Sequence, residues 1–225
     1  MSLDQRSLGS PHNPPLRVVF EFLDRSVGGA SARAGDPSVT RLHQVHGACV
    51  AVVTSSGDCC GTSADASVTS VPGAKLLVRA ADCAPVLLVG TAEGAPIAIG
   101  VAHAGWRGLA DGILPASVGA LRSLGATEIR ASLFPCIEGS CYEFGSDDLD
   151  RVSSILGTTV RATTSAGAVA FDMVAGVRAS LRLADVHDLD VSAWKCTACN
   201  PELLYSYRAR HDEGRLGLVA WLEPS

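Results

Sequence analysis

The sequence is poor in basic charge. Its 225 residues carry 18 Lys plus Arg against 23 Asp plus Glu, for a formal net charge of −5. Such a balance gives no electrostatic footprint for nucleic acid. Long apolar runs are also missing: the best stretches are broken by Glu93, Gly94 and Pro96, well short of a membrane span. The opening Met1-Ser-Leu-Asp-Gln-Arg6 holds no apolar h-region, so no secretory signal is expected and a cytoplasmic location is. There is no internal repeat, and no composition shift forces a domain boundary.

What is present is core. At 47% apolar residues the chain can bury one substantial domain. Residues 1–15 read as a disordered lead-in and 16–225 as a single catalytic domain. Short runs rich in Val, Ile and Leu predict strands over Leu16–Leu23, Ala48–Val53, Lys75–Ala80, Pro85–Val89, Pro96–Ala102, Glu128–Phe134 and Leu216–Leu222. Asp24–Thr40 reads as a long loop. Helices are expected over Leu109–Leu124, started or kinked by Pro115, over Ser146–Leu156 with a Ser cap, and from an Asp172 cap to about Leu183. Strands and helices mix without strict alternation, which favours α+β over a doubly wound parallel sheet.

Eight cysteines in a chain without a signal suit buried small side chains, metal ligands or nucleophiles better than a disulfide framework. Three segments share one layout: a strand end, a metal-capable residue, and a Gly or Pro that admits close backbone. They are HQVHG (43–47), ADCAPVLL (81–88) and HAGWRG (103–108). His46, Cys83 and His103 are therefore the candidate set, although no local spacing links them. Two imidazoles and one thiolate make a zinc shell with an open fourth position, which lowers the pKa of bound water towards ~7. The same atoms also make a nucleophile and base, Cys83 with His103, and each taken alone is consistent with a packed turn. Asp82, beside Cys83 on extended chain, points the other way.

Further candidates accompany these. Cys136, Cys141, Cys196 and Cys199 read either as a four-thiolate structural zinc site or as buried thiols, and Cys59-Cys60 as incidental. Arg107 follows Trp106 at a helix start, where it would hold an anion or pair with a carboxylate. Arg208, Arg210 and Arg215 surround a turn before the last strand; one would face phosphate, with Arg210 on a solvated turn.

Taken in order, QVHG (44–47), ADCAPVLL (81–88), VAHAGWRGLADGIL (101–114), PCIEGSCYEFG (135–145) and CTACNPELLYSYRARHDEGR (196–215) resemble the laccase-domain, or multicopper polyphenol oxidase, family, which includes purine nucleoside phosphorylases. The resemblance implies a single α+β domain of mixed β-sheets sandwiched with flanking helices. It implies zinc on His46, Cys83 and His103, which also act as catalytic residues, with Gln44, Arg107 and Arg208 contacting substrate. The implied partners are a small-molecule nucleoside and phosphate: adenosine, inosine, guanosine or methylthioadenosine would yield base and ribose 1-phosphate, with deamination of adenosine to inosine alongside.

The sequence departs from the family pattern in three places. Arg25-Ser-Val-Gly-Gly-Ala-Ser31 has one residue more than the usual opening motif, and no Asn-Arg pair precedes QVHG, leaving Arg33 and Arg41 as stand-ins. Phe134 takes a position usually held by glycine. Three other functions compete. One is a copper-dependent phenol oxidase, although with six His in all and only His46 and His103 in motif positions a multinuclear copper cluster is difficult to build. A cysteine-type hydrolase editing peptidoglycan precursors and a degenerate metal-binding protein without enzymatic activity are the other two.

Overall fold

The computed structural model describes residues 15–225. The expected lead-in therefore lies, apart from Pro15, outside the described residues; the Pro15 carbonyl accepts from the Ser225 N–H at 2.7 Å.

Two large sheets form the frame. The first has four strands in the order β1 (Leu16–Leu23), β12 (Leu216–Pro224), β5 (Lys75–Ala80) and β2 (Val39–Arg41). The second has six: β11 (Leu189–Asp190), β8 (Glu128–Leu133), β6 (Ala84–Ala92), β7 (Ala95–Ala104), β4 (Ala66–Thr69) and β3 (Val50–Val52). A two-stranded ribbon pairs β9 (Arg161–Thr163) with β10 (Val169–Phe171). Both large sheets mix parallel and antiparallel pairs, as α+β predicts.

Period-two alternation assigns the two faces of the six-stranded sheet. Val86 and Leu88 of β6, with Ala98 and Ala102 of β7, face the helices. Leu87 of β6, with Ile99 and Val101 of β7, meets Leu76, Val78, Leu218 and Ala220 of the other sheet. Among the described residues the layers are thus sheet, sheet and α-helices. Phe134 fills the seam between the sheets; its ring stacks on Phe22 at 5.6 Å and meets Phe20 edge-on at 5.4 Å.

The β6–β7 hairpin turns at Glu93 (φ 52°) and Gly94 (φ 77°), the two positive angles of a type I′ turn. The helix expected over Leu109–Leu124 is two helices, α1 (Trp106–Asp111) and α2 (Ile113–Ser123), broken at Gly112 (φ 90°) rather than at Pro115. Pro115 sits in the first turn of α2, where its missing N–H costs nothing. α3 (Ser146–Leu156) is preceded by Gly145 as cap, and Ser146 is already helical. Asp172 does cap α4 (Met173–Arg182), accepting from the Ala175 N–H. Asp24–Thr40 contains two 3-10 turns, and its last two residues begin β2. Strand β4 gave no sequence signal because two of its four buried residues, Ser67 and Thr69, are polar.

Candidate functional site

The stripe Ile99, Val101, His103 runs along the sheet–sheet face of β7, so the alternation that buries two aliphatics carries His103 to the end of the seam. Ala84 pairs with Ala104 and Pro85 with His103. Cys83, one step before β6, therefore falls on the same face as Pro85 and Leu87, diagonal to His103. His46 arrives on a loop in the left-handed region (φ 62°), a conformation that costs about 1–3 kcal/mol for a non-glycine residue.

Asp65 is what holds that loop. Its fully buried carboxylate accepts from the N–H groups of Val45 (3.1 Å), His46 (2.9 Å) and Gly47 (2.8 Å), and from His103 Nδ1 at 2.8 Å. The register explains the last contact. Ala66 pairs with Ala102 across β4 and β7, so Asp65 lies directly opposite His103, and the His103 N–H donates to the Asp65 carbonyl at 2.7 Å. With Nδ1 engaged, Nε2 is the nitrogen left for the cluster, the carboxylate–histidine arrangement that fixes a metal-binding tautomer. Sequence reasoning missed Asp65, because its value comes wholly from a strand register.

The donor atoms of His46, Cys83 and His103 all lie within 4.8 Å of one another. The His46 and His103 rings meet edge-on at 4.8 Å. Glycine is required beside them: a Cβ on Gly105 would stand 3.1 Å from Cys83 Sγ and 3.1 Å from His46 Cδ2, and one on Gly108 would stand 2.9 Å from the Gly47 carbonyl. Burial pushes the Cys83 thiol up, but the His103 and His46 rings outweigh it and bring it down to about 6. Burial likewise disfavours a charged His103, yet the Cys83 thiolate and the Asp65 carboxylate raise it to about 9. The Asp65 carboxyl, opposed by burial, is held below its usual range by His103 and the loop N–H groups. One soft thiolate and two imidazoles, without a fourth donor among the described residues, form a donor set suited to a catalytic-type metal position.

A cavity of about 420 Å³ opens onto this cluster, and Gln44, Arg79, Asp82, Tyr142, Tyr207, Arg208 and Arg215 are among the side chains lining it. Gln44 lines the cavity, and its amide donates to the Arg79 carbonyl at 2.8 Å and accepts from the Arg79 N–H at 2.9 Å, tying the His46 loop to β5. Arg208 lies 4.7 Å over the Tyr142 ring and donates to the Glu143 carbonyl. Arg79 and Arg215 complete a set of three arginines along the cavity that sequence reasoning did not assemble, the Arg215 guanidinium donating to the carbonyls of Asp212, Glu213 and Gly214. Arg107 does not line the cavity; exposed, it stacks on its neighbour Trp106 at 4.3 Å. Arg33 pairs with Glu21, and Arg41 donates to the Arg33 and Asp36 carbonyls, so both stand-ins hold structure. Arg210 is not on a solvated turn: it is half-buried and binds Asp212 and the carbonyls of Thr197, Ala198 and Leu204.

Asp82 is not on extended chain as expected; it lines the same cavity as Cys83 and His103, with its carboxylate bound to other groups. It is buried, with φ 99°. Its carboxylate accepts from Thr197 Oγ1 and from the Arg208 N–H, both at 2.6 Å, and its carbonyl accepts from the Ile137 N–H at 3.0 Å. The four-thiolate expectation changes as well. Cys136 is buried in the core, where its sulfur accepts from Trp194 Nε1 at 3.2 Å and burial pushes its thiol up. Glu138 stands in the group instead, with Cys141, Cys196 and Cys199.

Comparison with known proteins gives a consistent answer. The family model described as multi-copper polyphenol oxidoreductase laccase matches residues 25–223. A Streptomyces coelicolor protein named purine nucleoside phosphorylase is 38% identical over 206 residues, covering 90% of this chain and 81% of that protein. Among solved structures, a Neisseria meningitidis protein superposes with a TM-score of 0.73 at 30% identity, covering 88% of this chain and 79% of the other. YlmD from Geobacillus stearothermophilus also gives 0.73, at 28% identity, with 83% and 74% covered.

Proposed function

The chain belongs to the multi-copper polyphenol oxidoreductase laccase family, and from that premise we propose that it is a zinc-dependent purine nucleoside phosphorylase that also deaminates adenosine. The observation that carries the reading is the convergence of His46, Cys83 and His103 at a cavity lined by three arginines. At about 420 Å³ the cavity lies within the ~300–1,000 Å³ of small-molecule sites. The relative's name, purine nucleoside phosphorylase, supplies the substrate class.

His46, Cys83 and His103 would hold a zinc ion, which would supply a Lewis acid to the cavity. The rest belongs to the chain. Arg208, with Arg79 and Arg215, binds phosphate and places an oxygen for attack at the ribose C1′, while the bond from C1′ to the purine nitrogen breaks with its electron pair on the base. Tyr142, whose buried hydroxyl is pushed up and so keeps its proton, is positioned to donate to the departing base. Asp65 holds the His103 proton at Nδ1 throughout. Deamination uses the same pocket, with water adding at purine C6 and ammonia leaving. The eight free thiols fit a reducing, cytoplasmic setting.

Zinc-loaded protein incubated with adenosine and phosphate should yield adenine, ribose 1-phosphate and inosine, resolved chromatographically. No turnover of any of the four nucleosides under those conditions would sink the reading. A thiol-hydrolase alternative draws on the same Cys83–His103 pair, whose thiolate forms near neutral pH; it predicts activity that survives chelation, whereas the zinc reading predicts activity lost to chelator and restored by metal.

A further inference from the structure

The geometry points to a second metal site, a thiophilic divalent-cation site of the structural zinc type, built by Cys141, Cys196, Cys199 and Glu138. One donor atom from each residue lies within 4.8 Å of the other three. Cys196 and Cys199 have the Cys-x-x-Cys spacing of zinc ligands. The Cys141 and Cys199 sulfurs stand 3.4 Å apart, nearer the about 3.8 Å of two thiolates on one tetrahedral zinc than the about 2.05 Å of a disulfide.

The backbone is already arranged around these sulfurs. The Glu138 N–H points at Cys196 Sγ at 3.4 Å, the kind of contact that stabilises a ligating thiolate. Residues 136 and 196 pair as a parallel bridge, with the Thr197 N–H on the Cys136 carbonyl at 3.2 Å. Asn200 Nδ2 donates to the Cys196 carbonyl at 2.8 Å. The Arg210 guanidinium donates to the carbonyls of Thr197 and Ala198, fixing the main chain between the two cysteines. Three thiolates select a soft or borderline ion, and the carboxylate closes a four-donor shell.

The place of this site in the fold gives it a purpose. It joins two segments with no other covalent tie, and both feed the cavity wall. Tyr142 follows Cys141 directly, and Thr197, between the two C-terminal cysteines, binds the carboxylate of Asp82. The ion would clamp the cavity wall from behind.

Metal content of reduced, zinc-saturated and desalted protein tests this. The wild type is expected to hold two zinc ions per chain, and Cys199→Ser, Cys141→Ser and Cys83→Ala one each. In Cys83→Ala, cobalt(II) should give an intense thiolate-to-metal charge-transfer band that the Cys83→Ala/Cys199→Ser double variant lacks. Glu138→Gln, which leaves the thiols in place, should weaken cobalt binding roughly tenfold or more, within the range for disturbed metal shells. Cys199→Ser and Cys141→Ser with wild-type metal content would overturn the proposal. So would six rather than eight reactive thiols in unreduced, metal-stripped, denatured protein, which would mean a Cys141–Cys199 disulfide. A single ion lost in Cys199→Ser but kept in Cys83→Ala would uphold this site and sink the first one.

Discussion

Replacing Asp65 by asparagine tests the central geometric claim most severely. The carboxylate uses both oxygens: Oδ1 takes the His46 N–H and His103 Nδ1, and Oδ2 takes the N–H groups of Val45 and Gly47. An asparagine has one oxygen. If it faces His103, the amide NH2 meets the two donors of Val45 and Gly47. If it is flipped, the NH2 meets the His46 N–H and forces His103 into the tautomer protonated at Nε2, which cannot ligate. The first orientation loses two buried charge-assisted hydrogen bonds; the second loses one, along with the ligating tautomer of His103. At about 1.5–3 kcal/mol each, that is roughly 1.5–6 kcal/mol, a large part of the ~5–15 kcal/mol that holds a typical domain together. Affinity at the first metal site should fall about 10- to 100-fold. Chelator competition in a Cys199→Ser background isolates that site, and urea unfolding of the same protein reads the stability change. An Asp65→Asn variant with unchanged zinc affinity and an unchanged midpoint would refute the claim that this register-paired carboxylate organises the site.

Gly105→Ala puts a methyl group 3.1 Å from Cys83 Sγ and His46 Cδ2; the fold should survive, with zinc affinity down about tenfold and a cost of about 1–3 kcal/mol, measured by the same two assays. In metal-free protein, alkylation of Cys83, counted against Cys83→Ala, should show a midpoint near pH 6 instead of the usual 9. The pH window of the ion pair follows from the two shifts. Cys83, depressed from 9, gives stabilisation that is lost as pH falls through about 6. His103, raised from 6.5, gives stabilisation that is lost as pH rises through about 9, so the metal-free midpoint should plateau between those values and fall on both sides. Arg208→Ala should raise the KM for phosphate at least tenfold while metal content stays at the wild-type value; an unchanged KM would move the phosphate to Arg79 or Arg215.

The sequence was most legible where one residue carries its own context. His46, Cys83 and His103 stand out because each closes an apolar strand or turn beside Gly or Pro, and the strands around them follow from period-two patterning. Asp65 carries no such mark: an Asp before a short, half-polar strand is common, and only pairing of β4 with β7 sets it against His103. The arginines failed as a set for a related reason. Arg79 sits on a strand that reads as plain core, and Arg210 looks solvated until the chain folds back to offer it three carbonyls. The break at Gly112 was hidden by helical spacing that continues across it. Substituting Glu138 for Cys136 required knowing that residue 136 points into the core and 138 out of it.

Asp82 links two parts of the molecule that a designer would prefer to vary separately. It precedes Cys83 in sequence and holds the main chain of Arg208 in space. A loop exchanged there to change which nucleoside is accepted would release Arg208 and Thr197 from Asp82, and the residue left with φ 99° would relax against Cys83. On the proposed function, substrate preference and metal retention would therefore be inherited together, and variants selected for new substrates should accumulate compensating changes at Asp82 and Thr197 before they do so in the arginines.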